Sequence, residues 1–346
     1  MNVLPTAITP YFKAYSSSPA DNFKNSYQLS YLKELQADTF VSFKKKESTP
    51  DAKPIQSAIG KFEKPIMVVF SDIDGTISNS EHKISNSDLK AIKECTLNGL
   101  PIILSTGRRY AHSKTLYDKL GAKSGYFITE QGAVITDANG KIIKKYAISP
   151  KDSEQIVEAY KKYKESNPNI PTTMLVFKNG DIFTEKGSQI EDSWGPVKII
   201  SSFDTLFEDN EMPTKFIFYQ FKDEDNDNLT AFLRKNLSTN LQISQTANKH
   251  CEITSPEATK GNAVKAILEL MGVKPCNAAV IGDAENDIPM IKFIKENGGL
   301  SIAMGNGFES VKDLAEYKTK SVNDGGFALA MNVIMENNHK IYDSIT

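Results

Sequence analysis

From Pro65 onward, short apolar runs alternate with capped amphipathic segments, and this alternation constrains the fold more than any other feature of the chain. "PIMVVF" is a continuous apolar run of the kind found in strands buried on both faces. It is followed by "SNSDLKAIKECTLNG", in which Ser85 and Asp88 have the spacing of a capping box, Leu89, Ile92 and Leu97 fall near helical spacing, and Gly99 is a stop signal. The strand "PIILST", a helix over about Arg108 to Leu120 closed by Gly121, and the strand "GYFITE" repeat the unit. Such βαβ repetition predicts an α/β fold with a Rossmann-like parallel sheet, which binds ligands at the carboxyl ends of its strands.

Between about Ser149 and Pro256 the rhythm changes. "DSEQIVEAYKKYKES" is a helix with Ile156, Val157, Tyr160 and Tyr163 as its apolar stripe, and "MLVFKNGDIFTE" is a hairpin around Asn179-Gly180. "PTKFIFYQF", the helix "DNLTAFLRKNL" and the segments "LQISQT" and "HCEITS" complete a small α+β unit, with the aromatic stripe as its core by period-2 alternation. The first rhythm then resumes through "GNAVKAILELMG", "AAVIG", "DIPMIKFIKENG" and "LSIAMG", and a last strand-sized segment and a helix from about Phe327 close the sheet. The expected organisation is a mostly disordered extension over 1–62, a core over 63–148 and 257–346, and an inserted α+β unit over 149–256.

The extension is polar and rich in Ser, Pro and Lys, and its Lys44-Lys45-Lys46 run reads as a solvated charge cluster. No partner can be assigned to it. The chain's 346 residues are enough for two domains and a tail. A formal net charge of -2 gives no reason to expect nucleic acid or an anionic membrane as partner, so any bound anion must be held locally. Cys95, Cys251 and Cys276 are far apart, odd in number and form no CxxC pair, so neither a disulfide framework nor a zinc cage is indicated and a reducing compartment fits best. No stretch approaches the roughly 20 apolar residues of a membrane span, and the N-terminus lacks the pattern of a secretory signal. A cytoplasmic location is the expectation.

The chemistry concentrates at strand ends. "VVFSDIDGTISN" places Asp72 and Asp74 one residue apart, where residues i and i+2 of a strand share a face. Without a counter-charge, like carboxylates this close raise each other's pKa. A divalent cation removes the conflict, and Mg²⁺ uses one or two carboxylates, waters and phosphate oxygens. A second acidic cluster, "VIGDAENDIPM", offers Asp283, Asn286 and Asp287, of which Asp283 can meet the first pair across neighbouring strand ends. "IILSTGRR" supplies Thr106 and the backbone N–H groups of a helix start for a phosphate. Lys260 in "EATKGNAV" opens another helix, with an ammonium to neutralise phosphate and carboxylates together.

In this order, "DIDGT", the Ser/Thr of "STGR", the Lys of "TKGNA" and "GDAEND" resemble the four motifs of the haloacid dehalogenase superfamily of phosphohydrolases. The chain is most similar to the Cof-type, subfamily IIB branch of sugar-phosphate phosphatases, with supporting stretches "EQGAVI", "AMGNG" and "SVNDGGFALAM". The likeness runs from about Met67 to the C-terminus. It implies that residues 149–256 are a C2-type cap, and that the substrate is a small phosphorylated metabolite, with sugar phosphates the class expected. It further implies Mg²⁺ as cofactor, Asp72 as nucleophile forming an aspartyl-phosphate, and Asp74 as general acid and then base, its backbone carbonyl ligating the metal. Thr106, with Gly107 and Arg108 beside it, would hold the phosphoryl group, and Lys260 would stabilise its charge. Asp283 would complete the metal ligands, with Asn286 and Asp287 acting on phosphate and metal-bound water. Gln131 departs from the branch's usual Asn, and the N-terminal extension has no counterpart in the pattern.

Other residues are given bland roles. His82, His112, His250 and His339 form no HxxxH or HExxH and are read as surface or packing histidines. Arg108 can contact substrate or pair with a nearby carboxylate. Glu252 is read as structural, and Trp194 as aromatic packing. The resemblance implies that specificity lives on the inserted unit, whose polar residues include Lys178, Lys198 and Lys215, without saying which of them set it. Two other functions share the motifs: a phosphomutase using the same phosphoenzyme, and a silent binding protein. The intact set Asp72, Asp74, Thr106, Lys260 and Asp283 argues against the second.

Overall fold

The computed structural model describes residues 52–121, 125–191, 194–207, 211–220, 223–245 and 250–344, so the Lys44–Lys46 run and most of the N-terminal extension lie outside the described residues. In chain order the first elements are β1 (Lys53–Pro54), β2 (Val68–Ser71), α1 (Asn86–Leu97), β3 (Ile102–Ser105), α2 (Tyr110–Leu120), β4 (Tyr126–Thr129), β5 (Val134–Asp137) and β6 (Ile142–Lys145). The inserted stretch contributes α3 (Pro150–Ser166), β7 (Thr173–Lys178), β8 (Asp181–Glu185), β9 (Lys198–Ile200), β10 (Lys215–Tyr219), α4 (Asp223–Asn236), β11 (Gln242–Gln245) and β12 (Cys251–Thr254). After it come α5 (Lys260–Met271), β13 (Ala278–Gly282), α6 (Ile288–Glu296), β14 (Leu300–Ala303), α7 (Glu309–Leu314), β15 (Tyr317–Lys318) and α8 (Gly326–Asp343).

The larger sheet runs β1-β15-β14-β13-β2-β3-β4-β5-β6. It is parallel from β1 to β4, and β5 and β6 add as antiparallel strands. In β2, Val68 and Phe70 pack on one face with Ile267 of α5 and Ile291 of α6, while Val69 packs on the other with Ile92 of α1 and Met331 of α8. Both faces are covered, which is why the strand reads as an unbroken apolar run. Burying a side chain such as Phe70 stabilises by about 1.5–3 kcal/mol relative to leaving it exposed. The chain leaves β2 toward β3 on one side and later returns to β13 on the other. That reversal opens a crevice at the carboxyl ends of β2 and β13.

Ser85 caps α1 as the sequence predicts: its Oγ accepts the Asp88 N–H at 3.0 Å and donates to Asp88 Oδ2 at 2.7 Å. The buried stripe differs in part, being Ala91, Ile92 and Cys95, while Leu97 is 75% exposed at the helix end. The expectation of disorder up to residue 62 is corrected over its last residues. Lys53 and Pro54 add a parallel edge strand to β15, Ile55 and Ala58 are fully buried, and Gly60 N–H donates to Asn337 of α8. Two residues of strand carry no period to read, and two buried side chains make no run.

The smaller sheet runs β11-β12-β10-β7-β8-β9 and is antiparallel except where β8 meets β9. Asn179 and Gly180 take φ of 53° and 84° in the β7–β8 turn, the left-handed pair that a type I′ hairpin requires. Ile156, Val157, Tyr160 and Tyr163 of α3 pack on one face with Phe216 and Phe218. The one-sided reading of "FIFYQF" is corrected: Ile217 and Tyr219 are equally buried on the opposite face, against Leu175, Phe177 and Trp194. A second cover on that face removes the polar half of the alternation. Among the described residues, no helix is long and apolar enough to cross a membrane.

Candidate active site

The strand β2 ends at Ser71, one residue before Asp72, whose N–H still donates to the Ile281 carbonyl of β13 at 3.1 Å. The chain then turns sharply. Ile77 and Ser78 N–H groups both donate to the Ile73 carbonyl, and buried Ile73 and Ile77 anchor the turn in the core. Gly75 sits at φ 88°, and a Cβ there would run into the Asp283 carboxylate. Only glycine meets both demands. The turn separates the paired aspartates, so the expectation of a shared strand face is corrected. Asp72 is buried at 5% exposure, while Asp74 swings outward into a two-point ion pair with Arg108, whose Nε lies 2.8 Å from Asp74 Oδ2.

Asp72, Asp283 and Asp287 converge instead, each offering a carboxylate oxygen within 4.8 Å of the others. Lys260, fully buried at the first turn of α5, places its Nζ 2.6 Å from both Asp72 Oδ1 and Asp287 Oδ1. Asp287 is held from its other oxygen, which accepts the N–H groups of Asp283 and Ala284 at 2.9 and 3.1 Å. Thr76 Oγ1 donates to Asp283 Oδ1 at 2.9 Å. Thr76 was not singled out from the sequence, although it is the last residue of "DIDGT".

One ammonium cannot offset three clustered carboxylates, of which Asp72 and Asp287 are buried and Asp283 is partly so. Burial pushes the Asp72 carboxyl up to about 8 against the pull of Lys260, and burial followed by the charge of Asp287 lifts Asp283 to about 6. For Lys260 burial alone would lower the pKa, but Asp287 and Asp72 outweigh it and hold the group cationic. An all-oxygen, anionic set with excess negative charge suits a hard divalent cation such as Mg²⁺.

Thr106 follows β3 and is buried, its N–H donating to Ile128 at 2.9 Å and its Oγ1 accepting the Arg108 N–H at 3.2 Å. The helix α2 begins at Tyr110 rather than Arg108, so Thr106, Gly107 and Arg108 form a loop ahead of it. That loop is braced by the next strand end: Gln131 N–H donates to the Thr106 carbonyl at 3.1 Å and Glu130 N–H to the Arg108 carbonyl at 3.0 Å. A Cβ on Gly107 would meet the Gln131 amide, which in turn accepts the Asn286 Nδ2 hydrogen bond at 2.8 Å. Asn286 is thereby tied to Gln131 and stands outside the carboxylate cluster.

Outside the loop lies a cleft of about 850 Å³ lined by Asp74, Asn79, His82, Arg108, His112, Asn306 and Asn323 among others. His82 and His112, read from sequence as surface or packing residues, are part of its wall. His250 does pack, against Tyr219 and Trp194 with ring centroids at 4.9 and 5.6 Å. Trp194 stacks on Tyr219 as expected of a packing residue. Lys178 donates to the Leu206 carbonyl at 2.5 Å, Lys198 pairs with Asp181 at the surface, and Lys215 lies buried 3.6 Å from Glu252.

A family profile described as haloacid dehalogenase-like hydrolase matches residues 69–331. Phosphatase YwpJ of Bacillus subtilis (strain 168) is 26% identical over 294 residues, spanning 75% of this chain and 96% of that protein. The 5-amino-6-(5-phospho-D-ribitylamino)uracil phosphatase YcsE of the same organism is 27% identical over 266 residues, spanning 77% and 94%. Among solved structures, a HAD/COF-like hydrolase from Plasmodium vivax superimposes with a TM-score of 0.67 at 20% identity, over 82% of this chain and 99% of that one.

Proposed function

The chain belongs to the haloacid dehalogenase-like hydrolases, and from that premise we propose that it is a Mg²⁺-dependent phosphatase of small phosphorylated metabolites, sugar and polyol phosphates foremost. The observation that carries this reading is the buried Lys260 bridging Asp72 and Asp287 beside Asp283, at the strand ends that flank the sheet's reversal.

Asp72 attacks phosphorus in line, forming a carboxyl–phosphate bond as the ester P–O bond breaks. Lys260 orients the attacking carboxylate through Oδ1 and offsets the charge that gathers on the phosphoryl oxygens. Thr106 Oγ1 already accepts the Arg108 N–H, so its own proton is left to donate to the phosphoryl group. Asp74 protonates the leaving alcohol and then takes a proton from the water that attacks the same phosphorus, which breaks the Asp72 carboxyl–phosphate bond, releases inorganic phosphate and restores the carboxylate. Arg108 holds Asp74 at the cleft mouth until substrate enters. Asp72, Asp283, Asp287 and the Asp74 backbone carbonyl would hold the cation, which supplies charge neutralisation of phosphate and carboxylates. Residues 149–256 serve as a cap that excludes water and supplies leaving-group contacts. The polar cleft of amides, imidazoles and Arg108 suits a hydroxyl-rich leaving group, as does the phosphoribityl substrate in the name of the B. subtilis relative.

The direct test is phosphate release from sugar phosphates, nucleotides, phosphoglycolate and cofactor phosphates with and without Mg²⁺. Cation-dependent release is expected, and isomerised sugar phosphate without release would point to a mutase instead.

The cation itself can be tested without turnover. Asp283 and Asp72 have folded-state pKa values raised to about 6 and about 8, so the folded state binds more protons than the unfolded chain. Metal-free stability should therefore fall as pH rises from about 4 through both values. A cation at about a hundred times its Kd stabilises by about 2.7 kcal/mol, so millimolar Mg²⁺ should raise Tm by a few degrees at pH 8. At pH 5, where both carboxyls hold protons, the shift should nearly vanish. A shift that is absent at both pH values, or larger at pH 5, would remove Mg²⁺ from the site.

A further inference from the structure

The turn that braces the phosphate loop also reaches across to the smaller sheet. Glu130 and Gln131 are non-glycine residues at φ 53° and 62°, followed by Gly132 at 97°. Each left-handed non-glycine costs about 1 kcal/mol or more and persists only where its surroundings fix it. Gly132 is locked against the backbone of Thr259 and Lys260, where a Cβ would collide. The strained turn thus touches the phosphate loop through two backbone hydrogen bonds and the start of α5 through Gly132.

Its remaining side chain is Glu130, only 3% exposed, whose Oε2 accepts the Thr214 hydroxyl at 2.6 Å. Thr214 immediately precedes β10 of the smaller sheet. The groups facing Glu130 are Arg109 from its own side and Lys215 and Glu252 from β10 and β12. Burial pushes its carboxyl up, while Lys215, the Thr214 bond and Arg109 pull it back down. Arg109 makes a parallel crossing, donating to the Trp194 carbonyl at 2.7 Å. Both crossings thus start within or beside the loop that carries Thr106 and end on the smaller sheet's unit.

We propose that Glu130 is a positioning residue, a latch that docks the smaller unit onto the phosphate loop, so that cap closure and the placement of Thr106 and Arg108 are one event. Its activity arm rests on the phosphatase reading above. A second readout does not, because Trp194 is the chain's only tryptophan and its backbone is held by Arg109 at this joint.

The experiment uses the full chain with Glu130→Gln, which keeps size and backbone habit, and Thr214→Val, which removes the hydroxyl from the other side. Losing a buried hydrogen bond to a charged group changes an equilibrium by about tenfold or more. Both variants should raise KM for sugar phosphates by about that factor with a smaller change in kcat. Hydrolysis of p-nitrophenyl phosphate, whose good leaving group has little need of the cap's leaving-group contacts, should fall by a clearly smaller factor, the part due to the displaced Thr106 loop alone. Acrylamide quenching of Trp194 should increase in both. Lys145→Met, at an exposed ion pair with Glu211 across the same joint, should leave all readouts unchanged. Equal losses on both substrates with unchanged quenching would assign Glu130 to the chemistry and overturn the latch, as would no change in any readout. If the wild type releases no phosphate from any compound, the phosphatase reading fails and quenching alone decides the latch.

Discussion

Asp72→Asn should lose phosphatase turnover by at least about 10⁴-fold, the scale on which removing a nucleophile acts, while its Tm without metal stays level or rises. The two effects have separate causes. An amide cannot form the carboxyl–phosphate bond, so turnover stops at its first step. In the resting fold, however, Asp72 is a buried carboxylate whose pKa stands near 8 because burial and two further carboxylates outweigh Lys260. Replacing it with a neutral group of the same shape relieves that repulsion, and Lys260 keeps its 2.6 Å partner in Asp287. A residue kept for stability would behave in the opposite way. The measurement is phosphate release beside a thermal melt on the same preparation. Wild-type-like release would sink the assignment of Asp72 as nucleophile, and a Tm several degrees lower would make the residue structural.

The legible parts of the molecule are those set by local pattern. The Ser85 cap, the buried β2 run and the Asn179-Gly180 turn each follow from a few adjacent residues, and the structure has them where the spacing puts them. The motif positions at strand ends were equally visible, because a parallel sheet brings the carboxyl ends of β2, β3 and β13 together whatever the loops do. What could not be read was the direction of side chains beyond a strand end. Asp74 was expected beside Asp72, but a turn held by Gly75 and two buried isoleucines sends it to Arg108. Asp287 was visible as an acid, whereas its role as acceptor for two backbone N–H groups and Lys260 depends on a short turn's dihedrals. Contacts between distant segments were also hidden. Nothing near Glu130 points to Thr214, 84 residues away, and nothing in Lys53-Pro54 points to Tyr317-Lys318.

Lys260→Met should destabilise the protein by about 3–5 kcal/mol at pH 8, the range expected when one partner of a buried ion pair is removed. Its Nζ is the cation that lies 2.6 Å from both Asp72 and Asp287, and all three residues are buried. Methionine fills much of the same volume, so packing changes little and the loss is electrostatic. Its sign with pH follows. Without the ammonium, Asp72 and Asp283, already raised by burial, are pushed further above their unfolded values, so the variant's folded state holds protons that its unfolded chain releases. The penalty is then greatest above the raised folded-state values and shrinks as pH falls below about 6, where Asp72 and Asp283 hold protons in both folded proteins and no longer need the ammonium. The Tm deficit against wild type should be wide at pH 8 and nearly closed at pH 4.5, with added Mg²⁺ recovering part of it at pH 8 by supplying the missing positive charge. Turnover should fall by about 10²–10³ as charge stabilisation is lost. Melting curves at the two pH values decide the matter: a variant as stable as wild type at pH 8 would mean the carboxylates are already neutralised by protons, and a deficit that widened on acidification would contradict the ion-pair account altogether.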